Sequence, residues 1–170
     1  MQLFTSILDE TLEAWQGVRQ GVIDEVENIP ANKFGFRPTE ENRTITELVQ
    51  HILEVAHMFT GELTRPDTNF HREPWPDLLA RYASHIYEVK SKAGLVELLK
   101  TSFDEAEKKF RKVGEVFMLQ LITRFDGVQG TRLAWLNHGI AHEYYHCGQL
   151  ALYARLIGKV PALTQQIYGS

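Results

Sequence analysis

From Leu133 to Ala154 the chain carries a single formal charge, Glu143, in a run long enough to cross a bilayer. The same run holds Asn137, His138, His142, His146 and Gln149, which are costly in lipid. It reads instead as a helix buried in a bundle. Trp135, Leu136, Ile140, Ala141, Tyr144, Tyr145, Leu150, Leu152, Tyr153 and Leu156 do not fit one narrow stripe. A helix apolar nearly all round must be covered on more than one side. Other helices have to surround it, and a second copy of the chain is expected on its outer side. The sequence therefore predicts a homodimer formed through the first or the last long helix.

The remaining segments supply those helices. Apolar residues recur with a helical period at Leu3, Ile7, Leu8, Leu12, Trp15, Val18, Val22 and Val26, and Pro30 ends the pattern. Residues 29–43 read as a loop. Thr44-Ile45-Thr46-Glu47 has capping-box spacing and opens a second helix with Leu48, Ile52, Val55, Phe59 and Leu63 on one stripe. A polar, proline-bearing connection follows from Thr64 to Pro76, then a short helix over about Asp77 to Val89. A third long helix carries Leu95, Leu98, Leu99, Phe103, Ala106 and Phe110. Gly114 to Gly130 is ambiguous, with residues 116–122 readable as a short strand or an irregular link. The last helix runs from about Thr131 to Ile157, with Gly158 as its C′ residue and Pro161 shortly after. These elements predict an all-α fold, a four-helix bundle with a long connection between its second and third helices, as one domain over residues 1–170.

A net charge of −4, with acids and bases interspersed, leaves no basic groove, so nucleic acid is not an expected partner. The lone cysteine, Cys147, excludes an intramolecular disulfide and the cysteine-based zinc motifs. The first ten residues lack the basic start and apolar block of a signal peptide. A cytoplasmic protein with no membrane partner is expected.

Inside the last helix, His142-Glu143-Tyr144-Tyr145-His146 places two imidazoles one turn apart, with Cβ atoms about 6 Å from each other. Such a pair can chelate one metal ion. The HExxH pattern also suggests a zinc protease with Glu143 as base. That reading lacks the usual downstream ligand, because residues 147–170 contain no His, Asp or Glu, and it would need an upstream donor instead. The third ligand is therefore expected from another helix. His51, flanked by Leu48, Ile52 and Val55, is the best candidate. His57 points about 240° away from His51 around the helix and is not expected to share its ion. His71 and His85 read as solvated. His138 is a fourth ligand, a neighbour or a core residue. Glu143 is turned about 100° from its histidine neighbours and is expected to pair with an arginine or cap a helix. Cys147 reads as a small buried thiol. Gly139 and Gly148 imply a close helix approach or room for a ligand.

Two stretches carry a family resemblance. One is Phe36-Arg37-Pro38 followed by Thr44-Ile45-Thr46-Glu47-Leu48-Val49-Gln50-His51-Ile52. The other is His142-Glu143-Tyr144-Tyr145-His146-Cys147-Gly148-Gln149-Leu150, continuing through Tyr153, Arg155, Gly158 and Pro161. The chain resembles the DinB/YfiT-like superfamily of small metal-binding four-helix bundles. That resemblance implies a crossover bundle, often dimeric, with a divalent metal on His51, His142 and His146. Three neutral imidazoles suit zinc, nickel or iron better than magnesium or calcium. Some relatives resemble thiol S-transferases or isomerases that use a low-molecular-weight thiol. The expected function is a metal-dependent enzyme acting on a small molecule, with thiol transfer foremost. The alternatives are a metal-dependent hydrolase and a non-catalytic metal-binding or stress-related protein. The loop aromatics Phe34, Phe36, Phe70 and Trp75 read first as anchors of their loops, with the wall of a substrate pocket as the alternative.

Overall fold

The computed structural model describes residues 4–169. Its helices are α1 (Ile7–Asn28), α2 (Ile45–Leu63), α3 (Trp75–Ala83), α4 (Lys92–Val113), α5 (Glu115–Met118), α6 (Arg132–Leu156) and α7 (Ala162–Tyr168). Short 3-10 turns occupy Ala31–Lys33 and Ser84–Glu88. The strands β1 (Leu121–Thr123) and β2 (Gln129–Thr131) pair antiparallel as a small hairpin, with Leu121 opposite Thr131. The fold is all-α, and α1, α2, α4 and α6 form the four-helix bundle. No helix among the described residues is long and apolar enough to cross a membrane.

The four long helices start where a side chain can satisfy orphan backbone donors. Ser6 accepts from Asp9 N, Ser91 from Gly94 N and Thr131 from Ala134 N. Thr44 and Glu47 form the full reciprocal box expected at the start of α2. Leu3 lies outside the described residues, and Ile7 is exposed, so the buried stripe of α1 begins at Leu8.

The ambiguous stretch resolves differently from either simple reading. Val116 to Met118 belong to the single turn of α5, and only Leu121 to Thr123 are extended. Gly127, at φ 79, turns the chain back. The short helix after the polar connection starts at Trp75 and gives way to 3-10 geometry at Ser84.

The connection between α2 and α4 runs back along α2. Tyr82 packs on Gly61, the rings of His57 and His85 lie 5.3 Å apart, and Gln50 Nε2 donates to Val89 O at 3.0 Å. The partners on α2 therefore run from its C-terminal end to its N-terminal end. Only glycine leaves space at 61, because a Cβ there would stand 2.4 Å from the Tyr82 ring. Consequently α4 begins beside the start of α2 and the two run parallel. Lys92 Nζ caps the end of α1 by donating to the Glu27 and Ile29 carbonyls, each at 2.7 Å. Helix α6 runs antiparallel to α2, from Arg132 donating to Leu63 O at one end to Tyr153 donating to Arg43 O at the other. Each of α1 and α2 packs against both α4 and α6, so α1 and α2 sit diagonally across the bundle.

The apolar interior falls into two parts. One holds Leu12, Trp15, Phe59, Phe103, Phe110 and Leu136, and the other holds Val22, Val26, Ile52, Leu53, Leu99 and Leu150. Between them lies a polar layer to which all four long helices contribute: Arg19 of α1, His51 of α2, Ser102 of α4 and Glu143 of α6.

Candidate metal centre

The polar layer divides on α6. Glu143 turns toward α1 and α4. Its Oε1 accepts from Arg19 Nε at 2.5 Å, and its Oε2 accepts from Arg19 Nη2 and Trp15 Nε1, both at 2.9 Å. The other guanidinium nitrogen, Nη1, donates to Leu99 O at 2.7 Å and Ser102 Oγ at 2.9 Å. Both charged side chains are 2% exposed. Glu143 thus pairs with an arginine, as its rotation on the helix implied.

His142 and His146 turn toward α2 and meet His51. Nε2 of His142 lies 3.1 Å from Nε2 of His51 and 3.0 Å from Nε2 of His146. Ligand atoms of the three all lie within 4.8 Å of one another, and theirs is the one such group among the described residues. Two nitrogens each bound at 2.0–2.1 Å to one tetrahedral ion would be about 3.3 Å apart, so the spacing suits a shared cation.

The outward-facing nitrogens strengthen the fit. His51 Nδ1 meets Glu54 Oε1 at 2.5 Å, and His146 Nδ1 meets Gln149 Oε1 at 2.8 Å. Both partners are acceptors, so both Nδ1 atoms carry the proton and both Nε2 atoms present lone pairs. His142, lying between them, can donate a proton to only one. At least one lone pair then faces another at close range unless a cation sits there. Burial, and then the neighbouring imidazoles of His146 and His51, hold His142 down at about 3. Burial likewise lowers His146. Neutral rings are the form that coordinates metal.

Glu54 lies behind His51 and also accepts from the Tyr87 hydroxyl. Gln149 has the matching place behind His146. Both acceptors stand three residues after their histidine, the i,i+3 spacing that puts side chains on one helical face. That regularity was open to inspection in the sequence. Tyr87 and Arg19 had no such signal.

The other expectations divide. His138 is exposed, packs against the Trp135 ring at 4.3 Å and does not join the trio. Gly139 faces the Phe59 ring, which would lie 3.2 Å from an added Cβ, whereas nothing stands within 4 Å of one at Gly148. Cys147 is half-buried, and burial raises its thiol to about 11. Phe70 and Trp75 do not wall the histidine cluster. They join an aromatic group with Phe125 and Trp135, beside the last turns of α2. Phe34 is in the core, and Phe36 packs edge-on against Tyr153.

The walls are instead polar. A cleft of about 370 Å³ is lined by Arg37, Glu41, Asn42, Arg43, Glu47, His51, Glu54 and Tyr87. A second of about 370 Å³ is lined by Glu41, Asn42, Arg43, Leu48, Gln149 and Tyr153.

His57 gives the first expected result. Its Nε2 is buried without a partner. Burial, then His85, Arg19 and Lys109, lower it to about 4. The unfolded chain takes up a proton near pH 6.5 that the folded chain refuses until about pH 4. Stability from this group is present above pH 6.5 and lost as the pH falls toward 4, by about 2–3 kcal/mol. Urea unfolding at pH 7 and pH 4.5 should show a smaller acid loss in His57→Leu than in the wild type; equal losses would refute the assignment.

The DinB family model matches residues 1–168. The chain is 27% identical to the uncharacterized protein YjoA of Bacillus subtilis (strain 168) over 136 residues, 78% of this chain and 79% of that protein. The YjoA crystal structure overlays with a TM-score of 0.67 at 21% identity, covering 89% of this chain and 93% of that one. YfiT of Bacillus subtilis, described as a probable metal-dependent hydrolase with an unusual four-helix bundle topology, overlays at 0.66 with 16% identity and 94% of both chains. A mycothiol-dependent maleylpyruvate isomerase overlays at 0.65 with 15% identity, over 88% of this chain and 63% of the isomerase. At these identities the structural likenesses establish a common fold.

Proposed function

We propose, for a chain that belongs to the DinB family, a divalent-metal-dependent enzyme that transfers a low-molecular-weight thiol to a small electrophile. The observation that carries this reading is the convergence of three imidazole Nε2 atoms, with the outer nitrogens of His51 and His146 held by acceptors. His51, His142 and His146 would hold the ion, with zinc, nickel or iron favoured by the donor set. When bound, the cation would acidify a thiol or water and leave at least one position open beyond its three protein ligands.

The chain's own residues do the rest. Glu54 keeps the proton on His51 Nδ1, and Gln149 does so on His146. Tyr87 steadies Glu54 from the far side. The two polar clefts admit small substrates from the loop that precedes α2. In the transfer a carbon–sulfur bond forms, the bond to the leaving group breaks, and the thiol proton departs with the leaving group or to solvent. The thiol assignment is supported by the resemblance of this fold to a mycothiol-dependent isomerase.

The test is direct. Tag-free protein loaded with zinc, nickel or ferrous iron is incubated with a panel of small thiols and a chloroaromatic electrophile, and thioether is measured by mass spectrometry. Metal-dependent acceleration of at least tenfold over buffer, absent in His142→Ala, is expected. Ester hydrolysis without conjugation would replace the transferase reading with a hydrolase. Neither activity would leave a non-catalytic metal protein.

A homodimer in a cytoplasmic setting belongs to the same proposal. Its support is the outer face of α6, where Tyr144, Tyr145, Leu152 and Leu156 are exposed. Light scattering should return twice the monomer mass, and Leu152→Glu should restore the monomer.

A further inference from the structure

Charges around the three-histidine centre are unevenly satisfied. Glu47 Oε2 accepts from the Thr44 backbone and hydroxyl, Glu41 Oε2 from the Thr39 hydroxyl, and Glu54 from His51 and Tyr87. Every acid on the rim has a partner. Among the described residues the Arg37 side chain reaches only the Glu40 carbonyl, at 3.4 Å. Arg43 has no side-chain hydrogen bond or ion pair among the described residues, although it is the cation that lines both clefts.

The backbone of Arg43 is nonetheless fixed. Its carbonyl accepts from Tyr153 on α6 at 3.2 Å, and the residue after it caps α2. A guanidinium on an anchored base, unpaired and facing two clefts, is a ready receptor for an anion. Its planar fork matches a carboxylate with two parallel hydrogen bonds. A phosphate would fit less well, because it concentrates up to two charges on one group where Glu41 and Glu47 share the rim, whereas each carboxylate carries one. Both clefts reach the centre's supports, one at His51 and Glu54, the other at Gln149. A small acid held at Arg43 would thus lie beside the histidines.

We propose that Arg43 binds a carboxylate of the substrate next to the three-histidine centre, so that the substrate class is a small carboxylic acid. This rests on the reading of that centre as a metal-dependent active site. It also makes Arg43 a specificity residue distinct from the metal ligands.

Calorimetric titration of metal-loaded protein with succinate, its neutral diamide and inorganic phosphate tests it. Succinate should bind at least tenfold more tightly than the diamide. Arg43→Ala should weaken succinate at least tenfold, and Arg43→Lys should recover part of the loss, with metal stoichiometry and helical circular dichroism unchanged in both. Equal succinate affinity in wild type and Arg43→Ala overturns the proposal, as does a diamide that binds as well as the acid. Tighter, Arg43-dependent binding of phosphate overturns the carboxylate assignment. Failure of the wild type to take up metal is a different result. It removes the active-site reading and this inference with it.

Discussion

Glu143→Ala should destabilise the protein by about 3–5 kcal/mol, the range for breaking a buried ion pair by removing one partner. The variant would leave the Arg19 guanidinium 2% exposed, with its Nε and Nη2 stripped of acceptors, and would orphan the Trp15 indole N–H. An uncompensated buried cation at the junction of α1, α4 and α6 has no water to turn to. A loss of that size is a large fraction of an ordinary domain's total stability. Thermal unfolding should fall by about 10 °C or more. The control is the double variant Arg19→Met/Glu143→Leu, which removes both charges and should lie much closer to wild type. If Glu143→Ala cost less than about 1 kcal/mol, the pair would be behaving like a solvated surface bridge and the polar layer would be wrongly described. A third variant separates structure from chemistry. Glu143→Gln should keep full metal stoichiometry, because Glu143 faces away from the histidine trio. A zinc-protease base would instead have faced the ion.

The second large effect concerns the metal. His51→Ala, His142→Ala and His146→Ala should each reduce bound metal from about one ion per chain to near none. Two imidazoles remain in each variant, and two neutral ligands do not make a stable site. The fold should survive, since none of the three rings belongs to the apolar clusters. Behind the ligands, Glu54→Gln should weaken metal about 10- to 100-fold, the usual cost of losing an outer partner. Its amide can still accept from His51 Nδ1 but no longer brings a charge to that bond. Gln149→Leu should do less than Glu54→Gln, because it removes a neutral acceptor. Competition titrations against a chelator of known affinity would rank all five. A wild type that binds metal while no histidine variant loses it would place the ion elsewhere.

Much of this architecture was legible before any coordinates. The stripe Leu48, Ile52, Val55, Phe59 and Leu63 repeats at helical spacing, and all five side chains are buried. Thr44 and Glu47 announced the start of α2 through a box that needs only neighbouring residues. The convergence of His51 with His142 and His146 was reached from the charge-poor surroundings of the last helix and from the stripe flanking residue 51. The short elements were not legible. Residues 115–131 carry too few periodic positions to separate a turn of helix from a strand, and α7 (Ala162–Tyr168) carried no apolar stripe distinct enough to single out. The partners on which the aromatic loop residues pack were not legible, because hydrophobicity says that a ring will be buried but not against what.

The amino-acid order alone determined four long helices, three of them amphipathic, the capping box of α2, and three imidazoles on two of the helices, because periodicity and capping depend on residues a few positions apart. Tertiary structure decided which helices are diagonal and which parallel, that Arg19 rather than a metal answers Glu143, and that an unpaired Arg43 borders both clefts. Those facts depend on side chains tens to more than a hundred residues apart meeting at hydrogen-bond distance. Nothing in a helical repeat fixes how one helix is rotated and shifted against another; packing of the two apolar clusters does.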